Sequence, residues 1–234
     1  VLEELWSVSA LNVACSGSRI DGVERASREF IGAQQKKWPT LISLSIGGND
    51  VDFMGKLKSC LGVGTCEWAL PDKRIATAHE IRGLFEKLVD TIERLKADYF
   101  PSHLLVVGYP NVINDSENAA CSVVVSTMLS HDERRYMSES IKYLNKVMRA
   151  AAEYAKVTYA DIETAYVGER LCDPEEAAMN AIRTGDDIAP IPLLKSTKFI
   201  GAESFHPTPR GHQLAALSIN SQHGEYWNQS GCTE

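Results

Sequence analysis

The chain has 234 residues, 44% of them hydrophobic, which is enough to bury a substantial core within one domain spanning 1–234. Its formal net charge of −7 and the absence of a basic run argue against non-specific nucleic-acid binding. No apolar stretch approaches the roughly 18 residues of a membrane span.

In chain order, the short run "LNVA" at 11–14 reads as a first visible strand, leading into Cys15-Ser16-Gly17. Residues 22–38 carry Val23, Ala26, Phe30 and Ile31 at helical spacing, and Pro39 ends the pattern. "LISLSI" at 41–46 reads as a buried strand that stops in Gly47-Gly48-Asn49-Asp50. A long amphipathic helix is expected over about 74–98, striped by Ile81, Leu84, Leu88, Ile92 and Leu95. "HLLVVGYP" at 103–110 is a second strong strand. A helix over 132–156 follows, capped by Ser130 or Asp132 and striped by Met137, Ile141, Leu144, Val147 and Met148. "KVTYADI" at 156–162 is another strand. Turns fill 173–202, with a short helix near 174–183, and Pro209 opens a last helix through about 221. Strands alternating with helices predict a three-layer α/β/α sandwich with a mostly parallel central sheet.

Ligand sites in such sheets gather at the carboxyl ends of the strands, where "CSGS" and "GGND" both fall. "GAESFHPTPRGH", just before the last helix, joins them from the other end of the chain. Glycines let another group approach the backbone, and an amide donates hydrogen bonds without carrying charge. Asn49 is therefore either a turn former or a donor to a developing oxyanion. Gly17 is either a turn glycine or the source of a backbone N–H donor. His206, before Pro207, is either a helix-capping loop histidine or a general base, with Glu203 as a candidate orienter. Asp50 is suited to holding the loop by bonds to nearby backbone.

Six cysteines are present, none in a CxxC pair, and no zinc-type spacing occurs, so no metal and no cofactor is expected. Cys60 and Cys66 flank "LGVGT", a loop that a disulfide can close; the alternative is free thiols in a reducing compartment. Two N-x-S sequons, at Asn114 and Asn228, add to the case for a secreted glycoprotein. The start at Val1 points to a processed or trimmed N-terminus.

The ordered series "ACSGS" at 14–18, "LSIGGNDVDF" at 44–53, "VVGYPNV" at 106–112 and "ESFHPTPRGH" at 203–212 resembles the SGNH (GDSL-like) hydrolase family, in its secreted lipase and esterase branch. The resemblance implies a flavodoxin-like sandwich and a carboxylic ester hydrolase acting on a lipid, glycan or small-molecule ester. It makes Gly17 and Asn49 the oxyanion donors and His206 the base. It also implies a bridge between Cys121 and Cys172, and it leaves the mate of Cys15 upstream. Two departures stand out. Glu203 occupies the place where the family commonly has Asp. No Gly-Asp-Ser block occurs anywhere, so the first strand and the nucleophile are expected to lie before Val1. With them absent, a slot beside 41–46, or direct pairing of 11–14 with 41–46, is expected. The expected protein is a monomer with no membrane span and no nucleic-acid partner. The competing reading is a non-catalytic module that binds an ester, glycan or protein through the same cleft.

Overall fold

The computed structural model describes residues 12–33, 39–53, 55–56, 70–122, 125–126, 129–181 and 205–229. Three short strands, β1 (Leu41–Leu44), β2 (His103–Val107) and β3 (Thr158–Ala160), form one parallel sheet in the order β1-β2-β3. Leu41 lies opposite His103, and Leu105 opposite Thr158. Parallel pairing sends all three carboxyl ends to one edge, and that edge positions everything described below.

Side chains alternate across a strand, so β2 feeds two cores. Leu104 and Val106 face a cluster containing Ile42 and Leu44 of β1. Against these pack Leu88, Ile92 and Leu95 of α3 (Leu84–Asp98) and Leu144, Val147 and Met148 of α4 (His131–Tyr154). Leu105 and Val107 face the other way, with Ala160 and Ile162, onto Ile219 of α5 (Pro209–Gln229). Helices thus cover both faces, as a parallel sheet requires, and the fold is the expected α/β sandwich.

The remaining helices are α1 (Val23–Ala33), entered through a 3-10 turn at Ile20–Gly22, and α2 (Pro71–Arg82). The single helix expected over 74–98 is two, α2 and α3, divided at Gly83. Glycine costs about 1 kcal/mol relative to alanine inside a helix, and here the chain uses it as a break. Ser130, of the two caps considered, opens α4. Its hydroxyl accepts from the Glu133 N–H while the Glu133 carboxylate accepts from the Ser130 N–H at 2.8 Å, a complete capping box. At the other end of the chain, α5 runs to Gln229, beyond the expected stop near 221.

Two expected elements are absent. Residues 174–181 form turns and bridges, with no helix. Residues 12–14 form no strand, are exposed, and do not pair with β1. A three- or four-residue apolar run becomes a strand only when a partner offers it a ladder, and among the described residues none does.

Candidate active site

The loops after the three strands lie at the carboxyl edge, and each is tied to the next. After β1, the chain turns through Gly47, whose φ of 116° suits glycine alone. Asn49 follows, and its Nδ2 donates to the Ser18 carbonyl at 3.0 Å. That bond joins the "GGND" loop to the turn at 15–18, where Gly17 sits at φ 76°. The Asp50 carboxylate accepts from the Ile20 N–H at 3.0 Å. Burial pushes the Asp50 carboxyl up, and the Ile20 N–H offsets part of that rise. Asp50 thus holds the two arms together, the role its position suggested.

The "GGND" loop leans in turn on the loop after β2, since the Gly48 N–H donates to the Tyr109 hydroxyl at 3.2 Å. Asn145 of α4, buried at 4% exposure, clamps the Tyr109 main chain on both sides. Its Oδ1 accepts from the Tyr109 N–H at 2.7 Å, and its Nδ2 donates to the Tyr109 carbonyl at 2.8 Å. Next, Asn111 N–H donates to the Glu163 carbonyl in the loop after β3, and Asn111 Nδ2 donates to the buried Ser138 hydroxyl.

Cys121 and Cys172 are disulfide-bonded with Cα atoms 3.9 Å apart, tying the loop after β2 to the loop after β3 across 51 residues. Asn114 adds to the tie by donating to the Asp173 carboxylate at 2.8 Å, while its Oδ1 accepts from the Ser116 N–H and hydroxyl. The sequon asparagine is therefore a working part of the loop junction. Replacing both Cys121 and Cys172 with alanine should lower unfolding stability by about 2–4 kcal/mol, because the bond removes chain entropy from a loop of this length in the unfolded state. Urea unfolding checks it, and a loss under about 0.5 kcal/mol would mean that the bridge is energetically idle.

The last loop carries His206. The residue before it, Phe205, is buried yet held at φ 60°, an uncommon conformation for a bulky side chain. Phe205 N–H donates to the Asn180 carbonyl and Asn180 N–H to the His206 carbonyl, so Asn180 brackets the pair. The His206 side chain lies at the surface. Thr208 caps α5 by accepting from the Gly211 N–H at 3.1 Å, and Pro209 takes the first helical position. Gly211 packs so closely on this loop that a Cβ would stand 2.2 Å from the Ala178 carbonyl oxygen. Phe53, beyond "GGND", packs against the same apolar cluster as Phe205 and Met179.

The Asn49 amide thus lies against the turn that holds Gly17, and the Asn180 main chain ties His206 to the loop at 178–181. Glu203, Cys60, Cys66 and Cys232 lie outside the described residues. Cys15 is exposed and free of any disulfide, and Asn228 falls in the last turn of α5. Among the described residues no three His, Cys, Asp or Glu side chains gather as a metal site, and no helix is long and apolar enough to cross a membrane. Sequence reading passed over Tyr109, Asn145, Asp173 and Asn180. Asn145 left a trace: it is polar and sits one helical turn after Ile141, on the apolar stripe.

The family model described as GDSL-like Lipase/Acylhydrolase matches residues 2–214. Lipase 1 of Streptomyces coelicolor is 26% identical over 211 residues, covering 88% of this chain and 67% of its own length. A lipase of Streptomyces rimosus is 23% identical over 223 residues, covering 92% of this chain and 72% of its own length. Among solved structures, the extracellular lipase of Streptomyces rimosus superposes with a TM-score of 0.64 at 20% identity, over 89% of this chain and 78% of that one. Phospholipase A1 of Streptomyces albidoflavus gives 0.61 at 21% identity, over 90% and 78%. With nearly the whole chain matched in sequence and the sandwich shared, this protein belongs to the GDSL-like lipase/acylhydrolase family.

Proposed function

We propose that these 234 residues are the greater part of a secreted serine ester hydrolase of the lipase/esterase type, whose nucleophile lies in a segment outside them. The observation that carries this reading is the Asn49–Ser18 hydrogen bond. It sets an amide donor beside the Gly17 turn at the carboxyl edge, the arrangement an oxyanion needs. An amide nitrogen has two hydrogens, and Ser18 takes only one.

In the proposed reaction the serine hydroxyl attacks the ester carbonyl while His206 takes its proton. Gly17 N–H and the second Asn49 hydrogen meet the negative charge on the tetrahedral oxygen, and the protonated imidazole returns the proton to the departing alcohol. Water then releases the acid by the same steps. Glu203 is the proposed orienter of His206. No cofactor is required, and a monomer suffices. The lipases and the phospholipase among its relatives support ester substrates, and the extracellular relative and the disulfide support secretion.

Labelling tests the assignment. The 234 residues alone should neither hydrolyse p-nitrophenyl butyrate nor react with a fluorophosphonate probe, whereas the longest open reading frame containing them should do both. A labelled 234-residue chain would place the nucleophile within it. A folded longer protein that stays unlabelled would favour the binding-module reading instead.

A further inference from the structure

We propose that Tyr109 is a positioning residue for the oxyanion arm: its phenol suspends Gly48, and through Gly48 it sets where the Asn49 amide points. The inference rests on the reading of Asn49 as an oxyanion donor and adds to it the element that holds the donor in place.

The support is a continuous relay from the core to the loop. α4 is the longest helix described, with Met137, Ile141, Leu144 and Met148 buried on its inner face. Asn145 projects from that helix and grips both main-chain polar groups of Tyr109, at 2.7 and 2.8 Å, while its Nδ2 also reaches Glu163 Oε2 at 3.2 Å. A residue held at N–H and C=O together has little freedom to rotate about its own main chain. From this fixed main chain its ring reaches the "GGND" loop. There the hydroxyl accepts from the Gly48 N–H at 3.2 Å and also hydrogen-bonds the Ser45 side chain.

The fit is close. A Cβ on Gly48 would stand 3.2 Å from the Tyr109 hydroxyl oxygen and 3.4 Å from Cζ, so a side chain at 48 would push the phenol aside. Burial, the largest influence on the phenol, raises its pKa, so the group stays a neutral hydroxyl near neutral pH. Asn49 is then fixed from two directions. Tyr109 holds the residue before it, and Ser18 holds its amide. An oxyanion donor acts by being in place before charge develops, so its support is part of the catalytic device.

Tyr109→Phe removes the acceptor and keeps the ring. The test titrates n-butylphosphonate, a tetrahedral oxyanion that needs no serine, into the 15N-labelled chain and follows the Asn49 side-chain resonances. Tyr109→Phe should weaken binding by roughly three- to tenfold and speed hydrogen exchange at Gly48, with exchange at Leu105 and Val106 unchanged as proof of an intact sheet. Asn49→Ala should also weaken binding, and the double variant should be no weaker than Asn49→Ala alone, since Tyr109 acts through Asn49. No phosphonate binding by the native chain would sink the oxyanion reading and this inference together. Binding that responds to Asn49→Ala but not to Tyr109→Phe, or losses that add in the double variant, would overturn the positioning role alone.

Discussion

Asn49→Ala is expected to lower kcat for a short-chain ester by about 10²–10³ in the nucleophile-bearing protein, and His206→Ala by on the order of 10⁶, with KM little changed in both. The two magnitudes differ for a physical reason. An oxyanion donor contributes one hydrogen bond that strengthens as the carbonyl oxygen becomes charged, while the second proposed donor, Gly17 N–H, remains. The proposed base has no substitute: if His206 is replaced, the proposed serine keeps its proton and the attack does not begin. For Asn49 two effects combine, because the alanine loses the donor and also releases the tie to the Ser18 carbonyl. Asn49→Asp separates them, since it keeps the shape but turns a donor into an anion facing the oxyanion, and it should be at least as damaging as alanine. Steady-state kinetics on p-nitrophenyl butyrate decides the matter. An Asn49→Ala enzyme within threefold of the parent would remove Asn49 from the reaction.

Asp173→Ala should cost about 3–5 kcal/mol of unfolding stability. Asp173 is 4% exposed and accepts five hydrogen bonds. Two come from the Arg170 guanidinium, at 2.9 and 3.2 Å, and two from the main-chain N–H groups of Gly168 and Arg170, each at 2.9 Å. The fifth comes from Asn114. Removing the carboxylate leaves a guanidinium with 14% exposure and three further donors, the Gly168 and Arg170 N–H groups and the Asn114 amide, short of an acceptor. Asp173→Asn keeps the volume but sets an NH₂ against those donors, so it should recover only part of the loss.

The same cluster gives the sign of the pH response. Burial alone would raise the Asp173 carboxyl, but the Arg170 hydrogen bonds and charge, with Asn114, outweigh it and hold the group below the ordinary aspartate value. Its stabilisation is therefore complete above about pH 4 and disappears as pH falls through the folded value. Urea unfolding from pH 7 to pH 2 should show a fall at the acid end that Asp173→Asn flattens. Equal acid limbs for the two proteins would rule out this carboxylate as the source.

Individual elements show how far the sequence reaches. α4 was legible to within two residues at each end because two signals coincide in it: a capping residue at Ser130 or Asp132 and a continuous apolar stripe; the structure chose Ser130 through its pairing with Glu133. β2, an unbroken apolar run, was equally plain, since a strand buried on both faces needs no alternation. The helix break at Gly83 was missed because one glycine inside a strong apolar stripe bends or breaks a helix only as the packing dictates. "LNVA" misled for the opposite reason: its pattern was suitable, but a strand exists only with a neighbour.

The site divides along the same line. Residue chemistry made Gly17, Asn49 and His206 candidates, because glycine, amide and imidazole each do something few other side chains do, and the resemblance implied their roles. The sequence also determined that no Gly-Asp-Ser block occurs within these residues. Only the tertiary structure decided which groups support them. The Asn145–Tyr109 clamp spans 36 residues, the Asn49–Ser18 bond 31 and the Asn114–Asp173 bond 59. Hydrogen bonds of that range have no local periodicity to betray them. They arise because a parallel sheet sends distant chain segments out at one edge, where buried polar groups must find partners among whatever the fold has set beside them.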